Sequence, residues 1–288
     1  MSVVYLNGAY LPAAEAMVPV DDRGFLFADG IYEVAAAYEG RWLRLDAHLA
    51  RMASGLAALS IDFDPASLVA VHDELLRRNG LANAPAAIVY VQVTRGVAPR
   101  SHAFPTPAVA PTVYAFAKEF RRPDPVRWSE GYSAITVPDP RWARCDIKSI
   151  ALLPNVLAQQ SAVAAGVDDA LFVKDGIAIE GAHNNLFAVF GGTAVTYPKS
   201  NYILPGITRD LVLDLARARG IPVEERPIRL ESLWDADELF TTGTTTEVRP
   251  IVSVDGRRVG GGRVGAVART LHEAFSEAVG ALASGAVT

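Results

Sequence analysis

The chain has 288 residues, half of them hydrophobic and a fifth charged, which is enough for one large domain or two ordinary ones with ample core. A net charge of −5 without any dense Lys/Arg run argues against a nucleic-acid binder. A single cysteine, Cys145, excludes an internal disulfide framework and fits a reducing cytoplasm. MSVVYLNGAY at the start has no basic region followed by an apolar stretch, so it reads as no signal peptide. Residues 149–167 carry no charge, but Pro154, Asn155, Gln159, Gln160 and Ser161 make them too polar for a membrane span.

In chain order, Val3–Leu6 and Ile31–Tyr38 read as strands, with Asn7-Gly8 as a hairpin turn. Leu45, Leu49, Met52, Leu56 and Leu59 recur at helical spacing. A second helix runs from Pro65 to Gly80, with proline at its start and glycine at its end. Ala86–Thr94 is a strong strand, followed by a proline-rich loop over 95–111 and a strand over Thr112–Ala117. KEFRRPDPVRW, Lys118–Trp128, is charged and carries two prolines, so it reads as the linker between a domain of residues 1–117 and a larger one of residues 129–288. Beyond it, strands are expected near Tyr132–Val137, Ala170–Lys174, Leu186–Phe190, Ala194–Tyr197 and Asp237–Thr242. Helices are expected near Pro154–Ala165, Gly206–Arg219 and Val264–Ala283. This order fits two α+β domains better than a regular βαβ repeat.

Lys148 lies in DPRWARCDIKSIALLPN, Asp139–Asn155, just before an apolar run. A lysine there either snorkels to water or is held in a site; a desolvated amine near other cations, such as Arg141 and Arg144, attacks carbonyls. LPGITRD, Leu204–Asp210, and TTGTTTE, Thr241–Glu247, are loop-to-helix and turn stretches able to hold a phosphate, and each is also an ordinary cap or polar turn. Arg51 on the first long helix is a possible charge partner for such a phosphate. Glu180, before Gly181 at the end of a short strand, is either a turn residue or a carboxylate for a pyridine nitrogen. TRGVAPRSH places Arg95, Arg100 and His102 after the strongest strand, where an arginine fork would match a carboxylate. Tyr32 stands on a predicted strand within DRGFLFADGIYEV, as core or as ligand.

Taken in order, DRGFLFADGIYEV, HLARM, VTRGVAPRSHAFP, RWARCDIKS, IEGAHNNLF, ILPGITRD and TTGTTTEV resemble the fold-type IV pyridoxal-phosphate aminotransferases nearly end to end. The nearest likeness is to the bacterial D-amino-acid aminotransferases, through Arg100-x-His102 and CDIKS. The resemblance implies a two-domain α+β fold, a pyridoxal 5′-phosphate cofactor and a cytoplasmic homodimer. It makes Lys148 the Schiff-base lysine and Glu180 the partner of the pyridine nitrogen. It places the cofactor phosphate on Arg51, Ile207, Thr208 and Thr244, and packs Leu204 on the ring. It gives Tyr32, Arg100 and His102 to the substrate carboxylate, the last two from the neighbouring subunit, and it assigns no metal ligand. The implied reaction is a ping-pong transfer of the amino group of a D-amino acid, such as D-alanine or D-glutamate, to a 2-oxo acid such as 2-oxoglutarate or pyruvate. The alternatives are a branched-chain L-amino-acid or (R)-amine aminotransferase, an aminodeoxychorismate-type lyase, and a non-catalytic binding protein. Ala182, His183, Asn184 and Asn185 stand where the family has small or hydroxyl residues; His183 either replaces a lost hydroxyl or narrows the pocket.

Overall fold

The computed structural model describes residues 2–285. They pack as two units, residues 2–120 with 147–151 and 281–285, and residues 121–146 with 152–280. The segment around Lys148, residues 147–151, groups with the N-terminal residues. Backbone pairing is the reason. Ser149 bridges Ile31, the Tyr32 N–H donates to the Lys148 carbonyl at 3.0 Å, and the Ile150 N–H donates to the Gly30 carbonyl at 3.1 Å.

The first unit carries β1 (Val3–Leu6), β2 (Ala9–Pro12), α1 (Arg23–Phe27), β3 (Gly30–Tyr38), β4 (Arg41–Trp42), α2 (Leu45–Ala58), α3 (Val69–Arg78), β5 (Ala87–Thr94) and β6 (Thr112–Glu119). Its sheet is antiparallel throughout, in the order β2-β1-β6-β5-β3-β4. Asn7 and Gly8 take positive φ between β1 and β2, the backbone a two-residue hairpin requires. On α2 the buried residues Leu45, His48, Met52 and Leu56 share one face, so the helix lies on the sheet and joins Ile31, Val89 and Val91 in one core. Side chains alternate along β3: Glu33 is buried and meets α2, while Tyr32 begins a ring stack with Tyr90 and Phe116 at 5.5 and 5.1 Å.

The second unit carries α4 (Pro125–Glu130), β7 (Tyr132–Pro138), α5 (Leu153–Ala164), β8 (Asp169–Lys174), β9 (Ile177–Gly181), β10 (Asn185–Phe190), β11 (Thr193–Thr196), α6 (Ile207–Ala218), β12 (Val223–Glu225), β13 (Ile228–Arg229), β14 (Glu238–Gly243), β15 (Glu247–Val254), β16 (Arg257–Arg258) and most of α7 (Ala266–Ser284). Its sheet runs β12-β11-β10-β14-β15-β7-β8-β9-β13, with β16 on β15. One further pairing, Asn185 with Glu180, joins β10 to β9 and closes six of these strands into a ring. β15 is not expected from the sequence, because its Pro250 argues against a central strand. The ladder to β7 begins only at Ile251, so Pro250 stands beyond its end. No described helix is long and apolar enough to cross a membrane.

The C-terminal half of the expected linker is α4, capped by Asp124, whose side chain accepts from the Arg127 N–H. Its Trp128 is buried, stacks on His272 at 4.1 Å, and donates its indole N–H to the Val248 carbonyl at 2.7 Å. Trp128→Ala removes a buried ring and orphans that carbonyl, so it should lower unfolding stability by about 3–5 kcal/mol. Val126→Ala, at an exposed position on the same helix, is the reference. Equal denaturant midpoints for the two variants would show that the Trp128 ring adds nothing to the stability of the fold.

Candidate active site

In the first unit the start of β3 gathers two of the expected residues. The Lys148 ammonium sits over the Tyr32 ring, 4.2 Å from its centroid, and has no carboxylate at ion-pair distance among the described residues. Arg51, one turn beyond His48 on α2, donates from Nε and Nη2 to the two Glu33 oxygens at 2.6 and 2.9 Å. His48 Nδ1 stands 2.8 Å from the same carboxylate. Burial alone would raise the Glu33 pKa, but Arg51 and His48 overcome it and hold the carboxyl far below its ordinary range. Glu33 thereby sets the direction of the Arg51 guanidinium.

Arg100 and His102 lie apart from that group. Both are exposed and flank one ring, Phe27, at 5.1 and 5.6 Å, and among the described residues neither has a hydrogen bond or ring contact with Tyr32 or Lys148. Arg95, the first arginine of the same loop, is not available to a ligand. It is buried and forks onto Asp29 at 2.8 and 2.9 Å.

The second unit builds its site at one end of the ring of strands. Glu180 closes β9 and is buried. Its carboxylate accepts from Arg141 Nη1, from Asn185 Nδ2 at 3.1 Å and from the Leu204 N–H at 3.2 Å. Burial pushes its pKa up to about 7, against the pull of Arg141 and of the Leu204 amide. Arg141 is held in turn by Asp139 at 2.8 and 2.9 Å and lies over the Phe172 ring at 4.3 Å. Arg144, its sequence neighbour, is exposed and pairs with Asp146 instead.

Asn185 links Glu180 to the entry of α6. It also donates to the Leu204 carbonyl at 2.9 Å, and its Oδ1 packs so closely on Gly206 that a Cβ there would stand 2.0 Å away. Gly206 is the N-cap of α6, and no side chain caps that first turn, which contains Ile207 and buried Thr208. Free helix N–H groups and the positive helix end make this an anion cradle. Thr242 pairs with Asn185 across the ladder and so shares its face, and its buried hydroxyl has no partner among the described residues. Thr244 lies in the turn just beyond. This donor set fits a phosphate, and the neighbouring Glu180 fits a basic ring nitrogen. Asn184, among the residues that depart from the family pattern, serves the fold by donating to Asp169 at 2.6 Å, while His183 is exposed.

Nothing in the sequence joins Arg141 to Glu180 or gives Asn185 a role. The only available signal was the buried position that a Glu-Gly strand end acquires once the strands close, and that is a tertiary fact.

Glu180 has a measurable signature. Between about pH 4.5 and about pH 7 the folded chain keeps a proton on Glu180 that the unfolded chain has released, so this group makes the fold less stable as pH rises across that window. Glu180→Gln should remove a slope on the order of 1 kcal/mol per pH unit from the stability profile in that range. Chemical unfolding at a series of pH values measures it, and matching slopes in both proteins would mean that the folded chain leaves Glu180 unshifted.

The amino-transferase class IV family model matches residues 30–254. A D-alanine aminotransferase of Staphylococcus haemolyticus is 41% identical over 280 residues, 96% of this chain and 98% of that protein. One of Bacillus licheniformis is 37% identical over 278 residues, 96% of each. Among solved structures, the T.th. branched-chain amino acid aminotransferase with pyridoxamine 5′-phosphate superposes with a TM-score of 0.88 at 30% identity, covering 96% of this chain and 94% of that one. The Escherichia coli branched-chain amino acid aminotransferase gives 0.88 at 25% identity, covering all of this chain and 96% of that one. The α+β fold is therefore that of the fold-type IV aminotransferases, and the chain belongs to the class IV aminotransferase family.

Proposed function

We propose that this chain is a pyridoxal-phosphate-dependent D-amino-acid transaminase, acting on D-alanine- or D-glutamate-type substrates with a 2-oxo acid as acceptor. The observation that carries the reading is near full-length identity of 36–41% to D-alanine aminotransferases of staphylococci, against 30% to the T.th. branched-chain enzyme on the same scaffold. Arg100-x-His102 supports it from the sequence. A working homodimer in the cytoplasm belongs to the same proposal.

When bound, the cofactor supplies an electron-accepting ring for the charge released at the substrate Cα. The chain supplies the rest. Lys148 Nζ, with Tyr32 below it and no carboxylate at ion-pair distance among the described residues, would hold the cofactor and carry the proton to and from Cα. Glu180 would keep a proton on the ring nitrogen, its own ionisation favoured by Arg141. Ile207, Thr208, Thr244 and Arg51 would hold the phosphate, and Leu204, tied down by Glu180 and Asn185, would pack on the ring. Tyr32 of one subunit, with Arg100 and His102 of the partner subunit, would take the substrate carboxylate, which leaves the side chain pointing the other way and selects one hand. Stiffness around the arginine comes from Pro99 before it and Pro105 after it.

Losing one charge-assisted carboxylate contact costs on the order of 2–5 kcal/mol, so the wrong enantiomer should be rejected strongly. In single-turnover absorbance, D-alanine should convert the bound cofactor and L-alanine should not. Arg100→Ala should weaken that half-reaction far more than it weakens cofactor binding. Preference for L-amino acids, or indifference to Arg100→Ala, would sink the carboxylate assignment.

A further inference from the structure

The loop carrying Arg100 and His102 is exposed at its tip but is gripped from beneath by a buried cluster. Asp29, between α1 and β3, accepts from two arginines at once, Arg23 Nε at 2.8 Å and Arg95 Nε and Nη2 at 2.8 and 2.9 Å. Side-chain exposure is 11% for Asp29, 4% for Arg23 and 7% for Arg95, so the charges are largely out of water and hold one another. Burial would raise the Asp29 pKa, yet the two arginines keep it below the ordinary carboxylate range.

Each arginine spends its remaining donors on backbone or ring. Arg23 Nη1 donates to the carbonyls of Ser101, between Arg100 and His102, at 2.6 Å and of Ala103 at 3.3 Å. Its guanidinium also lies 4.8 Å from the Phe27 ring that Arg100 and His102 flank. Arg95 donates to the carbonyls of Leu59 and Ser60 at the end of α2 and lies 3.5 Å from the centroid of Phe104 in the loop. The loop base is tied as well: the Arg23 N–H donates to the Gly96 carbonyl at 2.9 Å, and Asp22 accepts from Thr94 Oγ1 at 3.0 Å. Gly96 has φ +100°, and a Cβ there would stand 2.0 Å from the Ala110 carbonyl oxygen.

We infer that Asp29 is a positioning residue: by gripping Arg23 and Arg95 together it sets where the loop presents Arg100 and His102, and so fixes substrate carboxylate affinity. This rests on the reading of Arg100 and His102 as carboxylate-binding residues. Asp29 itself touches no reacting atom. An amide at position 29 loses the charge that aligns both guanidinium groups, and Arg23 is then free to release the Ser101 carbonyl. A lysine at position 23 keeps the charge opposite Asp29 but cannot fork onto both Asp29 and the loop.

The test uses the holoenzyme and D-alanine. Asp29→Asn should raise KM by about tenfold while kcat and the visible absorbance of bound cofactor change little. Arg23→Lys, which preserves the ion pair and protects the fold, should raise KM in the same direction. A role confined to stability predicts something else, since a smaller folded fraction lowers the apparent kcat and leaves KM alone. Arg100→Ala, measured alongside, separates the two levels. If Arg100→Ala raises KM but Asp29→Asn and Arg23→Lys leave it at the wild-type value, or lower only the apparent kcat, the positioning role is overturned and the carboxylate assignment stands. If Arg100→Ala leaves KM unchanged, the assignment of Arg100 fails, and the positioning role fails with it.

Discussion

A buried carboxylate must be given donors or it takes a proton, and at Glu180 that requirement organises the second unit. The three donors come from separated parts of the sequence: Arg141 after β7, Asn185 at the start of β10, and the Leu204 amide before α6. The Asn185–Glu180 pairing is also the one that closes the ring of strands. Closure of the sheet, burial of the acid and placement of the helix entry are therefore one event. Gly206 belongs to it too, because a side chain there would collide with Asn185. The acid and the uncapped first turn of α6 stand side by side as a result, which is the pairing a phosphorylated aromatic base calls for.

The first unit repeats the device twice in different surroundings. Glu33 aligns Arg51 and His48, and Asp29 aligns Arg23 and Arg95. Each aspartate or glutamate is satisfied and each cation is directed. Lys148 contrasts with all of them. The chain has four lysines, and Lys199 pairs with Asp210 while Lys118 is exposed. Lys148 and Lys174 are both partly buried, each over a phenol, Tyr32 and Tyr202, and neither meets a carboxylate at ion-pair distance among the described residues. Of the two, only Lys148 lies in the segment that pairs with the start of β3.

What could be read from the sequence were the groups whose chemistry is local. Strand alternation over β3 and β5, helical spacing over α2 and the glycine entry of α6 all follow from short-range pattern, and each element stands within a residue or two of its expectation. Ordered motifs identified the family. Pro250 concealed β15, because a missing N–H is tolerated where one neighbouring strand has not yet begun, and only the ladder shows that. The segment around Lys148 joins the first unit by bridging Ile31, a long-range pairing that no composition shift announces. Arg141, Asn185 and Asp29 were missed for a common reason. Their roles lie in which groups they touch, and a charged residue beside others in sequence gives no hint of its partner in space.

The account stands most directly on Lys148 as the residue that holds the cofactor. Reducing the purified holoenzyme with borohydride makes that linkage permanent, and peptide mass spectrometry after digestion locates it. With Lys118, Lys148, Lys174 and Lys199 as the complete set of lysines, the assignment is unambiguous. The account predicts one pyridoxyl group per chain on the peptide containing Lys148, with the other three unmodified. Modification of Lys118, Lys174 or Lys199 in its place, or reduction that traps nothing on a chain with bound cofactor, would contradict it.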